Sequence, residues 1–219
     1  MDAEKLAQDR RSDFIRRLFA VTVSVGFASQ LNQLLAGSIS GRRLLWQALI
    51  TQHQHQLILL FISLIAVVAS WEGYLVSIQR QPLGSVRFYI DVIIVFMYLI
   101  LMLFSQIDDL WFVVLALNFV LYLIWDAIGA VTNPVDAAHE RRPYERSIVI
   151  TAIWLIVFGV LAIHNYFDVD QGFYLTSAAA LCSVVLYRVD KHLRANWLQK
   201  LSLLAVPILL LLLALAVRS

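Results

Sequence analysis

Residues 86–106, VRFYIDVIIVFMYLILMLFSQ, decide the fold of this chain. The run is as long as the ~20 residues that an α-helix needs to cross a bilayer. Six further apolar runs have a similar length, and the full set is 14–36, 57–79, 86–106, 110–132, 147–167, 173–188 and 197–217. Only helices and closed barrels satisfy their backbone hydrogen bonds in lipid, and these runs are too long for barrel strands. The sequence therefore predicts an all-α, polytopic helical membrane protein with about seven transmembrane helices.

The basic residues are distributed unevenly among the loops, and this bias predicts the orientation. Of the 17 Lys and Arg, 14 fall on one side if the N-terminus is cytoplasmic. These are Lys5, Arg10, Arg11, Arg16, Arg17, Arg80, Arg87, Arg141, Arg142, Arg146, Arg188, Lys191, Arg194 and Lys200. Arg42, Arg43 and Arg218 fall on the other side. Because Lys and Arg accumulate in cytoplasmic loops, the N-terminus is predicted inside and the C-terminus outside.

Composition leaves no room for a sizeable soluble domain. Hydrophobic residues make up 61% of the chain, and the loops are too short to bury a core of their own. We therefore expect a cytoplasmic N-terminal segment, 1–13, followed by a single transmembrane helical domain, 14–219. The expected location is the cell inner membrane, with the lipid bilayer as the first partner. The net charge of +2 reflects the loop bias and does not indicate nucleic acid.

The residues that usually carry catalysis or bind metals are sparse. Cys182 is the only cysteine, so one chain holds neither a disulfide nor a thiolate metal site. His53 and His55 form a His-x-His pair, but no third ligand lies near them in the sequence. Hydrolase, zinc-protease and P-loop motifs are missing from the sequence. We expect no enzymatic activity, no catalytic residues, no cofactor and no metal.

The first apolar run is the least lipid-like. At ~100° per residue, Thr22, Ser29 and Gln33 share one stripe of the helix, and Gln30 lies on its flank. Amides and hydroxyls without a hydrogen bond in hydrocarbon cost several kcal/mol, so this stripe must contact protein or water. Two interpretations are open: hydrogen bonds to a neighbouring helix, or a helix that lines an aqueous path.

Three carboxylates lie inside predicted spans, namely Glu72, Asp91 and Asp126, all in the cytoplasmic third. An ionisable group in the membrane marks a functional site by default. Arg80 and Arg87 flank the hairpin that holds Glu72 and Asp91, and long basic side chains can reach a shallow carboxylate. The alternatives are a structural cluster of ion pairs and a cation vestibule or proton-handling site.

The start of the chain resembles a known family. Arg10-Arg-Ser-Asp-Phe14-Ile-Arg-Arg-Leu-Phe19-Ala-Val-Thr-Val-Ser24 is similar to the first helix of the lysosomal-type tetrameric potassium channels and their bacterial relatives. Phe61-Ile-Ser-Leu-Ile-Ala-Val-Val-Ala-Ser-Trp71 resembles that family's second helix, which has a similarly placed Ser and Trp. The match covers about a third of the chain. The family's Ser-Asp pair is Ile15-Arg16 here, and bacterial members have six spans rather than seven.

The resemblance implies a homo-oligomeric channel for monovalent cations whose pore is lined by the first helix. It would place Val21 and Val25 at the apolar constriction, with Ser24 on a flanking face. Together with the polar stripe, this gives the pore-lining candidates Val21, Thr22, Val25, Ser29 and Gln33.

Two other functions fit the same sequence. A proton-coupled secondary transporter would use Glu72, Asp91 or Asp126 to carry protons, but equal halves and a broken central helix are not evident. A non-conducting membrane subunit of a multi-protein system would instead dock a cytoplasmic protein partner on the basic face.

The orientation is directly testable. A reporter fused to the N-terminus should be active in the cytoplasm and one fused to the C-terminus outside it, because 14 of the 17 basic residues would otherwise face outward. A C-terminal reporter that is active in the cytoplasm would mean that one of the last two runs does not cross the membrane.

Overall fold

The computed structural model describes residues 3–40, 43–44, 50–51, 53–80, 85–132, 138–167, 173–192 and 197–218. The described helices of the membrane domain are α1 (Ala3–Ser38), α2 (Gln54–Arg80), α3 (Ser85–Leu103), α4 (Asp108–Thr132), α5 (Ala138–Phe167), α6 (Phe173–His192) and α7 (Trp197–Arg218). A 3-10 turn, Phe104–Gln106, follows α3. Two short strands after α1, β1 (Ile39–Ser40) and β2 (Arg43–Leu44), pair antiparallel, with Ile39 opposite Leu44. The predicted all-α, polytopic membrane fold is confirmed.

Among the described residues, six helices are long and apolar enough to cross a membrane: Leu6–Ala36, Gln54–Leu75, Val86–Gln106, Asp108–Val131, Ser147–Tyr166 and Phe173–Lys191. The last helix, α7, contributes a shorter apolar run within the described residues, Leu203–Leu213. The segment that the sequence assigns to a separate cytoplasmic stretch, 1–13, is continuous with the first span, because α1 begins at Ala3.

The chain divides into two compact units. The first unit is Met1–Trp111 and the second is Phe112–Ser219. The division falls at the end of the first turn of α4. Each unit contains its own buried apolar side chains.

In the first unit, α1 packs mainly along α3, and α2 packs on α3 and on the 3-10 turn. The Phe19 ring of α1 stacks on the Trp71 ring of α2, with centroids 3.9 Å apart. Trp111 Nε1 donates to Ser63 Oγ over 2.8 Å, and that hydroxyl donates to the Leu59 carbonyl over 2.8 Å. The stacked rings contribute packing between α1 and α2, and the hydrogen bond to Ser63 fixes the orientation of the Trp111 ring.

In the second unit, α6 packs against both α5 and α7. Phe119 of α4 stacks on Phe158 of α5 at 4.0 Å and meets the Tyr187 ring of α6 edge-on at 4.8 Å. These rings tie three helices together at one level of the bundle.

Gly26 lets α1 approach α3 closely. A Cβ atom at this position would lie 3.0 Å from Met102 Sδ and 3.1 Å from Leu99 Cδ1, both on α3. Small residues at a helix contact permit this approach and the van der Waals packing that contributes to helix association in lipid. Gly159 of α5 has no such neighbour within 4 Å.

Gly26→Leu is expected to lower the stability of the protein by about 1–3 kcal/mol, because the new side chain must push α1 away from Met102 and Leu99. Thermal unfolding in detergent measures the loss. Gly159→Leu is the matched control, since it makes the same change in helix propensity where space is open. Equal melting temperatures for the two variants would show that the α1–α3 contact does not depend on Gly26.

Candidate functional site

One face of α1 is buried in the first unit. Its side chains recur every four residues at Thr22, Gly26, Gln30 and Leu34, and Thr22 is only 5% exposed. This spacing keeps them on one side of a helix, and Gly26 shows that the side faces α3.

The opposite face of α1 is open. Val21 is 60% exposed and Val25 is 55% exposed, and Ser24, Ala28 and Asn32 are exposed with them. In the most apolar stretch of α1, only 22% of the residues are buried, compared with 33–50% in the other five spans. We call Val21, Ser24, Val25, Ala28 and Asn32 the open face.

The structure divides the predicted pore-lining residues. Val21 and Val25 lie on the open face, Ser29 is half-buried at its border, and Thr22 is buried inside the unit. Its polarity alone had placed Thr22 among the pore-lining candidates. Packing separates them, because Thr22 lies one turn before Gly26 at the α1–α3 contact.

Gln30 and Gln33 make hydrogen bonds to the turn after α3. Gln106 Nε2 donates to Gln30 Oε1 over 2.8 Å and also to Gln33 Oε1, and Ser105 Oγ donates to Gln30 Oε1 over 3.5 Å. For these two amides the structure favours interhelical hydrogen bonding, which the sequence left open beside an aqueous path. The side chains of Ser24 and Asn32 make no hydrogen bond within the described part of the chain.

The hairpin carboxylates lie in different environments. Asp91 is 3% exposed on α3, one turn after Arg87, which is 6% exposed, whereas Glu72 on α2 is exposed. The Tyr74 hydroxyl of α2 lies within electrostatic range of Asp91, Arg87 and Arg16. Arg87 and Asp91 are four residues apart on α3, a spacing at which two side chains of a helix can interact. The side chain of Arg80, the other expected partner, lies outside the described residues.

Asp126 is the centre of a buried polar cluster in the second unit. The side chain is 1% exposed, and Lys191 Nζ donates to its Oδ2 over 3.0 Å. Thr151 Oγ1 donates to Oδ2 over 2.6 Å, and Ser147 Oγ donates to Oδ1 over 2.9 Å. The cluster joins α4, α5 and α6, and it supplies the carboxylate with a cation and two hydroxyl donors.

Aromatic side chains enclose this cluster. Lys191 Nζ lies 5.1 Å above the Tyr187 ring, whose hydroxyl is 3.4 Å from Thr151 Oγ1. One turn further along α5, Trp154 Nε1 donates to Asp190 Oδ2 over 3.3 Å. Sequence reasoning assigned Lys191 to the cytoplasmic charge bias and missed its role. The signal was Asp126 itself, since a carboxylate inside a span requires a partner and Lys191 lies at the predicted cytoplasmic end of α6.

The histidines form no metal site among the described residues. His55 Nδ1 lies 3.2 Å from Asp108 Oδ2, and His53 Nδ1 lies 2.9 Å from Gln56 Oε1. Within the described ranges, no group of three His, Cys, Asp or Glu side chains is placed to hold an ion. His53 thus contacts Gln56 near the start of α2, and His55 links α2 to Asp108 at the start of α4.

The chain matches no protein-family model, no curated protein and no solved structure. The family resemblance therefore rests on its own residues, and the structure gives several of them packing roles. Phe19 stacks on Trp71, and Ser63 accepts a hydrogen bond from Trp111.

Lys191→Met should destabilise the protein by about 3–5 kcal/mol, because it leaves the Asp126 carboxylate buried without its cation. Adding Asp126→Leu should recover most of the loss, since an apolar pair of similar volume needs no counter-charge. Denaturation in detergent measures both changes. The exposed pair of Arg17 and Asp13, 2.7 Å apart, gives the control: Asp13→Asn should cost under about 1 kcal/mol. A Lys191→Met protein as stable as the wild type would contradict a structural role for the pair.

Proposed function

We propose that this multi-pass membrane protein is a homo-oligomeric ion channel of the cell inner membrane, lined by the open face of α1. The observation that carries the proposal is the exposure of Ser24 and Asn32 on one face of a membrane-spanning helix. Hydrocarbon cannot accept or donate hydrogen bonds, so an amide facing lipid costs several kcal/mol. Water or a second copy of the chain removes this cost.

The open face also has the shape that a packed assembly needs. Ser24, Ala28 and Asn32 recur every four residues, with Ala20 and Ala36 continuing the row, and all five are exposed. Small residues at this spacing allow neighbouring helices to approach closely in lipid. Val21 and Val25, which the resemblance assigns to a constriction, lie beside this row and would form an apolar ring around a common axis.

The environment of Asp126 argues against this carboxylate as the proton carrier of a transporter. A proton-carrying carboxylate must exchange its partners during transport, whereas Asp126 is held by Lys191 and two hydroxyls in a buried site. A non-conducting subunit that binds a cytoplasmic protein is a further alternative. It requires no water along α1, so accessibility of the open face separates it from a channel.

Cysteines introduced in a Cys182→Ala background at Ser24, Ala28 and Asn32 should react with a charged, water-soluble thiol reagent in membranes. The reason is that the proposed path brings water to this face. A short bifunctional thiol reagent should also join two copies through position 28. Mass spectrometry measures the labelling, and gel electrophoresis measures the cross-linked dimer.

Two positions serve as controls. Thr22→Cys should stay protected because the site is buried inside the first unit. Ile93→Cys should stay protected because Ile93 is exposed on an apolar face of α3, where we expect lipid and not water. Cysteines at 24, 28 and 32 that remain as unreactive as the one at 93 would place the open face in lipid and contradict the channel.

A further inference from the structure

The inner end of α1 carries charges that continue the open face. Arg10, Asp13 and Arg17 are all exposed, and the side chain of Arg17 is 79% exposed. Arg17 is four residues before Val21 and seven before Ser24, and Arg10 is seven before Arg17. Steps of four and seven residues return a helix to nearly the same side. The two arginines therefore lie in line with the open face, toward the predicted cytoplasmic end.

The acidic side chains offset only part of this charge. Asp13, at the edge of the row, is bonded to Arg17 Nη2 over 2.7 Å, and Asp9 is exposed about a quarter turn away. Of the three intramembrane carboxylates, Asp91 is buried on α3, Asp126 is bonded to Lys191, and Glu72 is exposed on α2 and not on α1. Among the described exposed charges of α1, three arginines (Arg10, Arg16 and Arg17) exceed the two aspartates.

We infer that the channel conducts small anions such as chloride in preference to potassium, with Arg17 forming the selective ring at its cytoplasmic mouth. This inference rests on the proposed function, because it requires α1 to surround the path. Rotational symmetry would repeat Arg17 in every copy around the axis. Low-dielectric walls focus the field of such a ring, and the local concentration of counter-ions rises by about tenfold or more.

The residues that follow Arg17 along the open face are compatible with an anion. Val21 and Val25 carry no charge, and the Ser24 hydroxyl and the Asn32 amide both supply hydrogen-bond donors. The cation preference implied by the family resemblance finds one exposed carboxylate in line with this face, Asp13, and that side chain is bonded to Arg17. Selectivity for anions and selectivity for cations are therefore distinguished by the sign of the reversal potential under a salt gradient.

The test is the reversal potential of the full-length protein in planar bilayers under a KCl gradient, for the wild type and for Val25→Ala, which widens the apolar ring. We expect reversal near the chloride equilibrium potential. Arg17→Gln should lower the chloride-to-potassium permeability ratio about tenfold, Arg17→Glu should invert it, and Asp13→Asn should raise it. Arg16→Gln is the matched control, because Arg16 is exposed but turned about 100° from Arg17 and toward Tyr74.

The outcomes separate the two proposals. Potassium selectivity in the wild type would overturn the anion inference and leave the channel standing. Equal losses of selectivity in the Arg16 and Arg17 variants would also overturn it, since the effect would then come from the general charge of the N-terminus. A protein that passes neither ion, even as Val25→Ala, would overturn the channel itself.

Discussion

The inability of lipid to form hydrogen bonds governs where each polar side chain of this protein lies. In the first unit, Gln30 and Gln33 share one donor, Gln106 Nε2, at the turn after α3. In the second unit, Asp126 gathers two hydroxyls and the Lys191 ammonium. Each arrangement removes a cost of several kcal/mol that an isolated group would carry in hydrocarbon. The same rule applies to the side chains of Ser24 and Asn32, which are exposed in the described part of the chain.

Each unit combines such a polar contact with a group of stacked rings. Phe19 and Trp71 join α1 to α2, while Phe119 joins α4 to α5 and α6. In lipid, the ring contacts and the polar contacts have different effects. Packing supplies attraction between helices that lipid would otherwise surround, and the polar contacts select one rotation of each helix about its axis. Lys191 illustrates both, since it bonds to Asp126 and also covers the Tyr187 ring.

Hydropathy was sufficient to predict the helices, because a span of ~20 apolar residues has few alternatives to crossing the membrane. It was not sufficient to predict the faces. Thr22 and Ser24 are both small hydroxyl residues two positions apart, yet one is buried against α3 and the other is open. Only the α1–α3 contact at Gly26 distinguishes them. The pairing of Asp126 with Lys191 spans 65 residues, so it depends on how three helices pack and not on any local pattern.

The family resemblance and the open face are best understood as separate properties of α1. Phe19 and Trp71, which carry part of the resemblance, hold α1 against α2, and Ser63 anchors Trp111. Residues with these roles specify how two helices pack, which a protein retains whatever passes along the other face. Arg17 and Asp13, by contrast, are exposed and lie outside these contacts. In the proposed channel, the arginines that predict the orientation of the chain would also set the electric field at the cytoplasmic mouth. A helix packing similar to that of a cation channel would therefore be compatible with the proposed preference for anions.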